Sequence, residues 1–402
     1  MEPLFLIGSK VIHKIKQQGD EAYFVGGAVR DFLLQRPVHD IDITTSAPVE
    51  RIEELFEVTI PLGKEHGTII VRLEEQSFEV TTYRSVSDGR STLAEDLQKR
   101  DFTINAMAMN EKMELIDPYN FYNDLENRLI RAVENGVERF VEDPLRMLRA
   151  CRFSSQLNFE IEKETFDAIT KCRGLTERTA IERAVTEFEK LVKARTFSRG
   201  LHYMLSSGLT QHISFLKGKE KALEDLAAMK LEILLSLEEV WAAFLYVDQT
   251  EQDLISYLKA LKKSKQFVHQ VVRLQEALNT YRNNGWTNGL IYKIGLENSL
   301  KLGRLLYTLH PEENHVHTEQ SLMKWHNNLP IKSRRDLNLN GQLLVQAFQK
   351  EQGAWIERLL VKVEKAVLAQ KVANNTREMI AWLMKERDIN DEGQAFGDAF
   401  RK

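Results

Sequence analysis

The stretch Val38-His39-Asp40-Ile41-Asp42-Ile43 constrains this chain more than any other. Side chains alternate along an extended strand, so residues two apart share a face. Read as a strand, the segment sends Ile41 and Ile43 into a core and turns Asp40 and Asp42 together to the opposite side. Adjacent carboxylates repel unless cations sit between them, and hard oxygen ligands of this kind suit Mg²⁺. The strand therefore belongs in a sheet with one packed face and one face open to a cleft.

Upstream, Ala22-Tyr23-Phe24-Val25 reads as a strand and Ala28 to Leu34 as a helix, with Gly26-Gly27 between them. Glycines at such a junction let the backbone approach a phosphate, and the helix start offers free N–H groups to an anion. Arg30, one turn in, adds a charge-assisted contact. A lone Gly-Gly is more often a plain turn beside a surface arginine; the acidic strand a few residues later reverses that weighting. Asp-x-Asp alone is a weak motif, since glycosyltransferases also hold a nucleotide-sugar's metal with one. Thr68 to Leu73 and Ser77 to Tyr83 read as paired strands. On the latter, Glu79 is either a third carboxylate or a solvated strand residue. Two Mg²⁺ ions at Asp40 and Asp42 would activate an attacking hydroxyl and stabilise a leaving pyrophosphate, which is the chemistry of nucleotidyl transfer.

From Glu138 onward the pattern is helical, with only Pro144, Pro311 and Pro330 in that stretch. Helical runs cover Leu145 to Leu157, Ala180 to Val192, Ala222 to Leu245 and Leu343 to Gln370, and the N-terminal Met1 to Gln18 reads as a short amphipathic helix. Breaks fall at Ser206-Ser207-Gly208, Asn283-Asn284-Gly285 and Asn327-Asn328-Leu329-Pro330. At 402 residues the chain has room for about two to four domains. A net charge of −4 argues against indiscriminate coating of nucleic acid but leaves room for a local basic patch. Cys151 and Cys172 show no metal-ligand spacing and indicate a reducing compartment; with no apolar run long enough for a bilayer and no cleavage site, a cytoplasmic enzyme without membrane contact is expected.

Arg100-Asp101-Phe102-Thr103-Ile104-Asn105-Ala106-Met107-Ala108, taken with the Gly-Gly and Asp-x-Asp elements, resembles the tRNA nucleotidyltransferase and bacterial poly(A) polymerase family. Asp124 to Arg131, Glu142 to Phe153, Ile181 to Leu191, Leu329 to Leu337 and Gly353 to Ile356 are similar to later segments of its Gram-positive CCA-adding members, in the family's order. The resemblance implies an α/β nucleotidyltransferase head with a polymerase-β-like mixed sheet, followed by an elongated all-α neck, body and tail. The expected divisions are residues 1–135 for the catalytic head, 136–205 for a neck with the nucleotide-selecting helix, 206–328 for a tRNA-binding body and 329–402 for a tRNA-binding tail. It further implies tRNA as partner, CTP and ATP as substrates, two Mg²⁺ ions as cofactors and Asp40, Asp42 and Glu79 as the catalytic carboxylates. A homodimer is compatible with it.

The selecting helix can be argued from its own residues. Pro144 suits a first helical position and Asp143 before it suits an N-cap, which is the plain structural role of that aspartate. Arg146, three residues on, shares its face. A guanidinium donates and a carboxylate accepts, so the pair matches the edges of cytosine and adenine and mismatches uracil; each mismatched buried group costs about 1–3 kcal/mol. By resemblance, Asp143 and Arg146 choose the base with Arg100 assisting, while Gly26, Gly27, Arg30, Arg149 and Arg152 hold the nucleotide. In the helical part, Lys259, Lys262, Lys263 and Lys265 cluster, as do Lys332, Arg334 and Arg335. Lys262, Lys263, Lys332, Arg334 and Arg335 are candidate RNA contacts or simply solvated faces. His315 and His317 read as a solvated pair.

The stretch 85–99 is shorter than in the CCA-adding enzymes this chain resembles. A shortened loop marks family members that add only the two cytidines and leave the final A to a separate A-adding enzyme, so CC-addition is expected. Full CCA-addition, poly(A) synthesis and an inactive RNA-binding role on the same fold are the alternatives.

Overall fold

The computed structural model describes residues 3–63, 67–83, 91–249, 253–312 and 318–390. The chain separates into two compact units, residues 1–228 and 229–402.

The first unit opens with α1 (Pro3–Lys16), β1 (Ala22–Val25), α2 (Gly27–Leu33), β2 (Asp42–Thr45), α3 (Val49–Leu55), β3 (Thr59–Gly63), β4 (Thr68–Leu73) and β5 (Gln76–Thr82). It continues through α4 (Leu93–Gln98), β6 (Ala108–Met109), β7 (Leu115–Ile116) and α5 (Tyr122–Glu126). Seven strands form one mixed sheet in the order β3-β4-β5-β2-β1-β6-β7, with β2 parallel to β5 and the other neighbours antiparallel. Alternation governs its core: Phe78 and Val80 are fully buried while Ser77 and Glu79, which alternate with them, are exposed. Helix α1 packs its apolar stripe of Phe5, Ile12 and Ile15 on this side, with Phe5 edge-on to Phe24 at 5.0 Å.

The ladder corrects one expectation. The strand read over 38–43 begins only at Asp42 and runs to Thr45. Asp40 and Ile41 lie before it, outside the hydrogen-bonded ladder, yet the in-out alternation persists: Ile41 and Ile43 are buried and Asp40 is exposed.

Beyond a short two-stranded pairing of β8 (Leu129–Ile130) with β9 (Glu160–Ile161), the first unit is helical: α6 (Gly136–Glu142), α7 (Leu145–Leu157), α8 (Lys163–Cys172), α9 (Ile181–Val192), α10 (Phe197–Ser206) and α11 (Glu220–Ala227). Helix α7 packs against α9 and α10. At the α10 crossing a Cβ on Gly200 would lie 2.1 Å from the Ser155 hydroxyl and 2.4 Å from the Cys151 carbonyl oxygen, so only glycine permits this approach.

The second unit comprises α12 (Leu237–Asp248), α13 (Leu254–Ala260), α14 (Lys265–Asn284), α15 (Asn288–Leu309), α16 (Glu319–Asn327), α17 (Gly341–Phe348), α18 (Ala354–Leu368) and α19 (Thr376–Asn390). The three breaks read from sequence all fall at helix ends: α10 stops at Ser206, α14 at Asn284 and α16 at Asn327, with Gly208 and Gly285 at positive φ. Two long runs are interrupted where one helix was expected. Between Ala222 and Leu245, α11 ends at Ala227 and α12 restarts in a capping box of Ser236 with Glu239. Between Leu343 and Gln370, Gln349 turns left-handed and extended Gly353 precedes α18. A period of apolar residues does not reveal such restarts, because the pattern continues on both sides.

Candidate active site

Strand register builds the site. Val25 pairs with Asp42 across β1 and β2, so Gly26, the next residue, emerges beside the Asp42 carboxylate. Asp42 in turn pairs with Glu79 across β2 and β5. Gly26 adopts φ 72° and ψ −137°, a conformation open to glycine, and a Cβ there would stand 3.2 Å from Asp42 Oδ2 and 3.3 Å from Arg100 Nη1. The turn thus brings together a carboxylate, a guanidinium and a bare backbone.

A cavity of about 730 Å³ opens on this point. All eleven candidates from the head and from α7 and its start line it: Gly26, Gly27, Arg30, Asp40, Asp42, Glu79, Arg100, Asp143, Arg146, Arg149 and Arg152. Asp31, Asp101, Asn105, Phe153 and Arg183 join them, as does His39. Six arginines (30, 100, 146, 149, 152, 183) face six carboxylates (31, 40, 42, 79, 101, 143), so the formal charges of these twelve side chains cancel.

Burial and the neighbouring Asp40 charge raise the Asp42 pKa, against the opposing pull of Arg100 and Arg149. Burial, then Asp42 and Asp40, raise that of Glu79. Crowded carboxylates of this kind are the signature of a cation site. Among the described residues no group of three His, Cys, Asp or Glu side chains forms a cage. Mg²⁺ characteristically takes one or two carboxylates and fills its shell with phosphate oxygens and water, so the donor set at Asp40 and Asp42 fits that ion. This charge balance points the same way, since a bound triphosphate needs positive charge that the paired arginines do not supply in excess.

The arginines are held, not loose. Arg30 donates to both oxygens of Asp31 and, at 2.6 Å, to Asn105. Arg149 meets Asp101 through Nε at 2.8 Å and Nη2 at 2.6 Å, and Arg152 meets Glu187 at 2.6 Å. Arg100 bonds Asp96, which also accepts from the Thr44 hydroxyl on β2. Asp101 is largely buried at the cavity wall; burial works to raise its pKa, but Arg149, Asn105 and the Phe102 N–H overcome that and hold it down to about 2.

At the start of α7, Asp143 takes the capping role its position predicts and places a carboxylate on the cavity wall. One carboxylate oxygen accepts the Leu145 N–H as an N-cap, and the other accepts from Arg183 at 2.8 Å. The Arg146 backbone N–H donates to the Asp143 carbonyl oxygen at 3.0 Å, but its guanidinium turns elsewhere, donating to Glu142 and to the carbonyl oxygens of Arg139 and Lys99. Arg183, Asp101 and Phe153 were passed over in the sequence. Asp101 adjoins Arg100, Phe153 adjoins Arg152, and Arg183 sits in the Ile181 to Leu191 segment, but only packing of α9 on α7 brings Arg183 to Asp143.

The basic candidates of the second unit lie apart from one another in sequence and role. Lys262 is exposed at the end of α13, and Lys263 stands 4.5 Å from the centre of the Phe267 ring. Lys332 and Arg335 are exposed, while Arg334 is engaged by Glu357 at 2.6 Å and Glu364 at 2.9 Å. Residues 84–90, within or beside the short stretch singled out in the sequence, and His315 and His317 lie outside the described residues. The rest of that stretch forms α4, started by a capping box of Thr92 with Glu95.

Sheet, acidic pair and glycine turn together define a nucleotidyltransferase head. Residues 22–131 match the poly A polymerase head domain, 158–216 the probable RNA and SrmB-binding site of polymerase A, and 234–383 the putative tRNA nucleotidyltransferase domain 2. The chain is 36% identical over 400 residues to a CCA-adding enzyme of Enterococcus faecalis, covering 96% of this chain and 98% of that one. It is 36% identical over 402 residues to one of Bacillus velezensis, covering 95% and 98%. Among solved structures, a Bacillus stearothermophilus CCA-adding enzyme in complex with CTP superposes with a TM-score of 0.90 at 34% identity, covering 98% of this chain and 100% of that one. The chain belongs to the class II tRNA nucleotidyltransferase family, that of the CCA-adding enzymes. No helix among the described residues is long and apolar enough to cross a membrane.

Proposed function

We propose that this chain builds and repairs the complete CCA terminus of tRNA, using CTP and then ATP. The observation that carries the reading is the meeting of the acidic pair, the glycine turn and the Asp143–Arg146–Arg100 group around one cavity. Support comes also from the relatives alike over nearly their whole length, which are CCA-adding enzymes, one of them solved with CTP. The expectation of CC-addition alone, drawn from the short 85–99 stretch, finds no support among them, so full CCA-addition replaces it. No separate A-adding enzyme is then required.

In this reading Asp40 and Asp42 would hold two Mg²⁺ ions, which would supply Lewis-acid activation of the attacking hydroxyl and charge balance for departing pyrophosphate. The tRNA 3′-hydroxyl attacks the α-phosphate in line, and the protein acts mainly by position and charge. Glu79, paired with Asp42, supports that carboxylate. Asp143 and Arg146, with Arg100, present one acceptor and a row of donors to the base edge, which fits cytosine and adenine. Gly26 and Gly27 expose backbone to the phosphates, and Arg30, Arg149 and Arg152 form the arginine wall beside them. We assign residues 1–135 to catalysis, 136–205 to base selection, and 206–328 and 329–402 to the tRNA, with the exposed Lys262, Lys332 and Arg335 and the half-buried Lys263 as phosphate contacts. The reaction takes place in the cytoplasm, where both buried thiols stay free.

The test gives the purified chain a tRNA ending at its discriminator base, first with CTP and then with CTP and ATP, and sizes the products. Three added residues are expected with both nucleotides. Two residues would restore CC-addition, a long A tail would indicate poly(A) synthesis, and no addition would favour an inactive RNA-binding protein.

A further inference from the structure

The geometry points to Phe153 as a positioning residue: its ring gathers the three arginines that face the nucleotide's phosphates. The inference rests on the functional reading above and deepens it. The guanidinium carbon of Arg152 lies 4.0 Å from the ring centroid, that of Arg30 5.1 Å and that of Arg149 5.3 Å. These arginines come from α2 and α7, and all three guanidinium carbons lie within 5.3 Å of the centroid of this one ring. Phe153 is itself fixed from behind, edge-on to the fully buried Phe102 at 5.8 Å and 83°.

Three cations drawn to one point repel. Each has its own carboxylate, Asp31, Asp101 or Glu187; Asp31 and Asp101 hold Arg30 and Arg149 by hydrogen bonds that consume N–H donors, while Arg152 gives an N–H to Gln156 and meets Glu187 as an ion pair. The face of an aromatic ring carries partial negative charge and attracts the cation without taking a hydrogen bond. Donors spared in this way remain for phosphate oxygens. An aliphatic side chain of the same size would fill the space but leave the arginines spread by repulsion.

Weakening contacts of this kind in a desolvated site changes affinity by roughly tenfold. The test replaces Phe153 in the full chain by 4-fluoro-, 3,5-difluoro- and 3,4,5-trifluorophenylalanine, which drain the ring face stepwise at nearly constant size. The measurements are KM for CTP, KM for tRNA, kcat and melting temperature. The expected result is a KM for CTP that climbs with each fluorine to roughly tenfold, exceeding any fall in kcat, with KM for tRNA and melting temperature flat. Phe153→Leu then matches or exceeds the trifluoro variant. A flat KM series, a wild-type KM in Phe153→Leu, or KM changes that follow a falling melting temperature would overturn the role. A wild-type chain that adds no nucleotide brings down the functional reading as well, whereas an active wild type with a flat series refutes the ring alone.

Discussion

Asp101→Asn tests whether the arginine wall is held electrostatically. Asp101 receives Arg149 twice, Asn105 at 3.1 Å and the Phe102 N–H at 2.9 Å, all inside the first unit. Despite its burial, these partners hold its carboxyl at about 2 against an ordinary 3.8. A carboxyl whose folded pKa is depressed stabilises the fold fully above its unfolded pKa and loses that contribution as pH falls through the folded one. The gap corresponds to roughly 2 kcal/mol at neutral pH, falling to about half by pH 3 and nearly vanishing by pH 2. Asparagine keeps the shape and removes the charge, so it forfeits this contribution and leaves Arg149 partly uncompensated. For a unit of this size the melting temperature at pH 7 should drop by roughly 4–8 °C. Urea unfolding of wild type and variant, followed at pH 7, 5, 4 and 3, gives the difference directly. It should be constant from pH 7 to 5 and narrow below 4. Equal stability at pH 7, or a difference that widens in acid, would refute the electrostatic account.

Asp42→Asn should lower nucleotide incorporation about a thousandfold or more. In chelator its melting temperature should be no lower than that of wild type, because burial and Asp40 already make the ionised carboxylate unfavourable to folding at neutral pH. Retained incorporation, or a clear loss of stability, would contradict the cation assignment. Arg183→Ala should reduce the preference for CTP over UTP about tenfold, read as the ratio of kcat/KM values, since Asp143 loses the partner that fixes one oxygen. The Arg183–Asp143 pair is largely exposed, so the melting temperature should barely move; an unchanged ratio would exclude Arg183 from base selection.

Much of the site could be read from local pattern. The acidic pair, the glycine turn and the start of α7 are short-range features, and each behaves as alternation, helix-start chemistry and capping require. Asp143 is the clearest case, acting as the N-cap its sequence position demands while offering its second oxygen to the cavity. The strand at Asp42 begins later than the alternation suggested, because an extended segment alternates whether or not it joins a ladder. The interrupted runs at 228–236 and 349–353 were hidden for a related reason, since an apolar period survives a restart.

By itself, the chain's residue order determined the local elements and the types of group each would present: paired carboxylates, a bare glycine backbone, a stripe of arginines. Only the tertiary structure decided what those groups do to one another. The register of β2 between β1 and β5 set Asp42 beside Gly26 and Glu79, and the packing of α9 on α7 set Arg183 on Asp143 and Glu187 on Arg152. Charges interact through space with a strength fixed by distance and burial, and neither quantity is written in sequence separation.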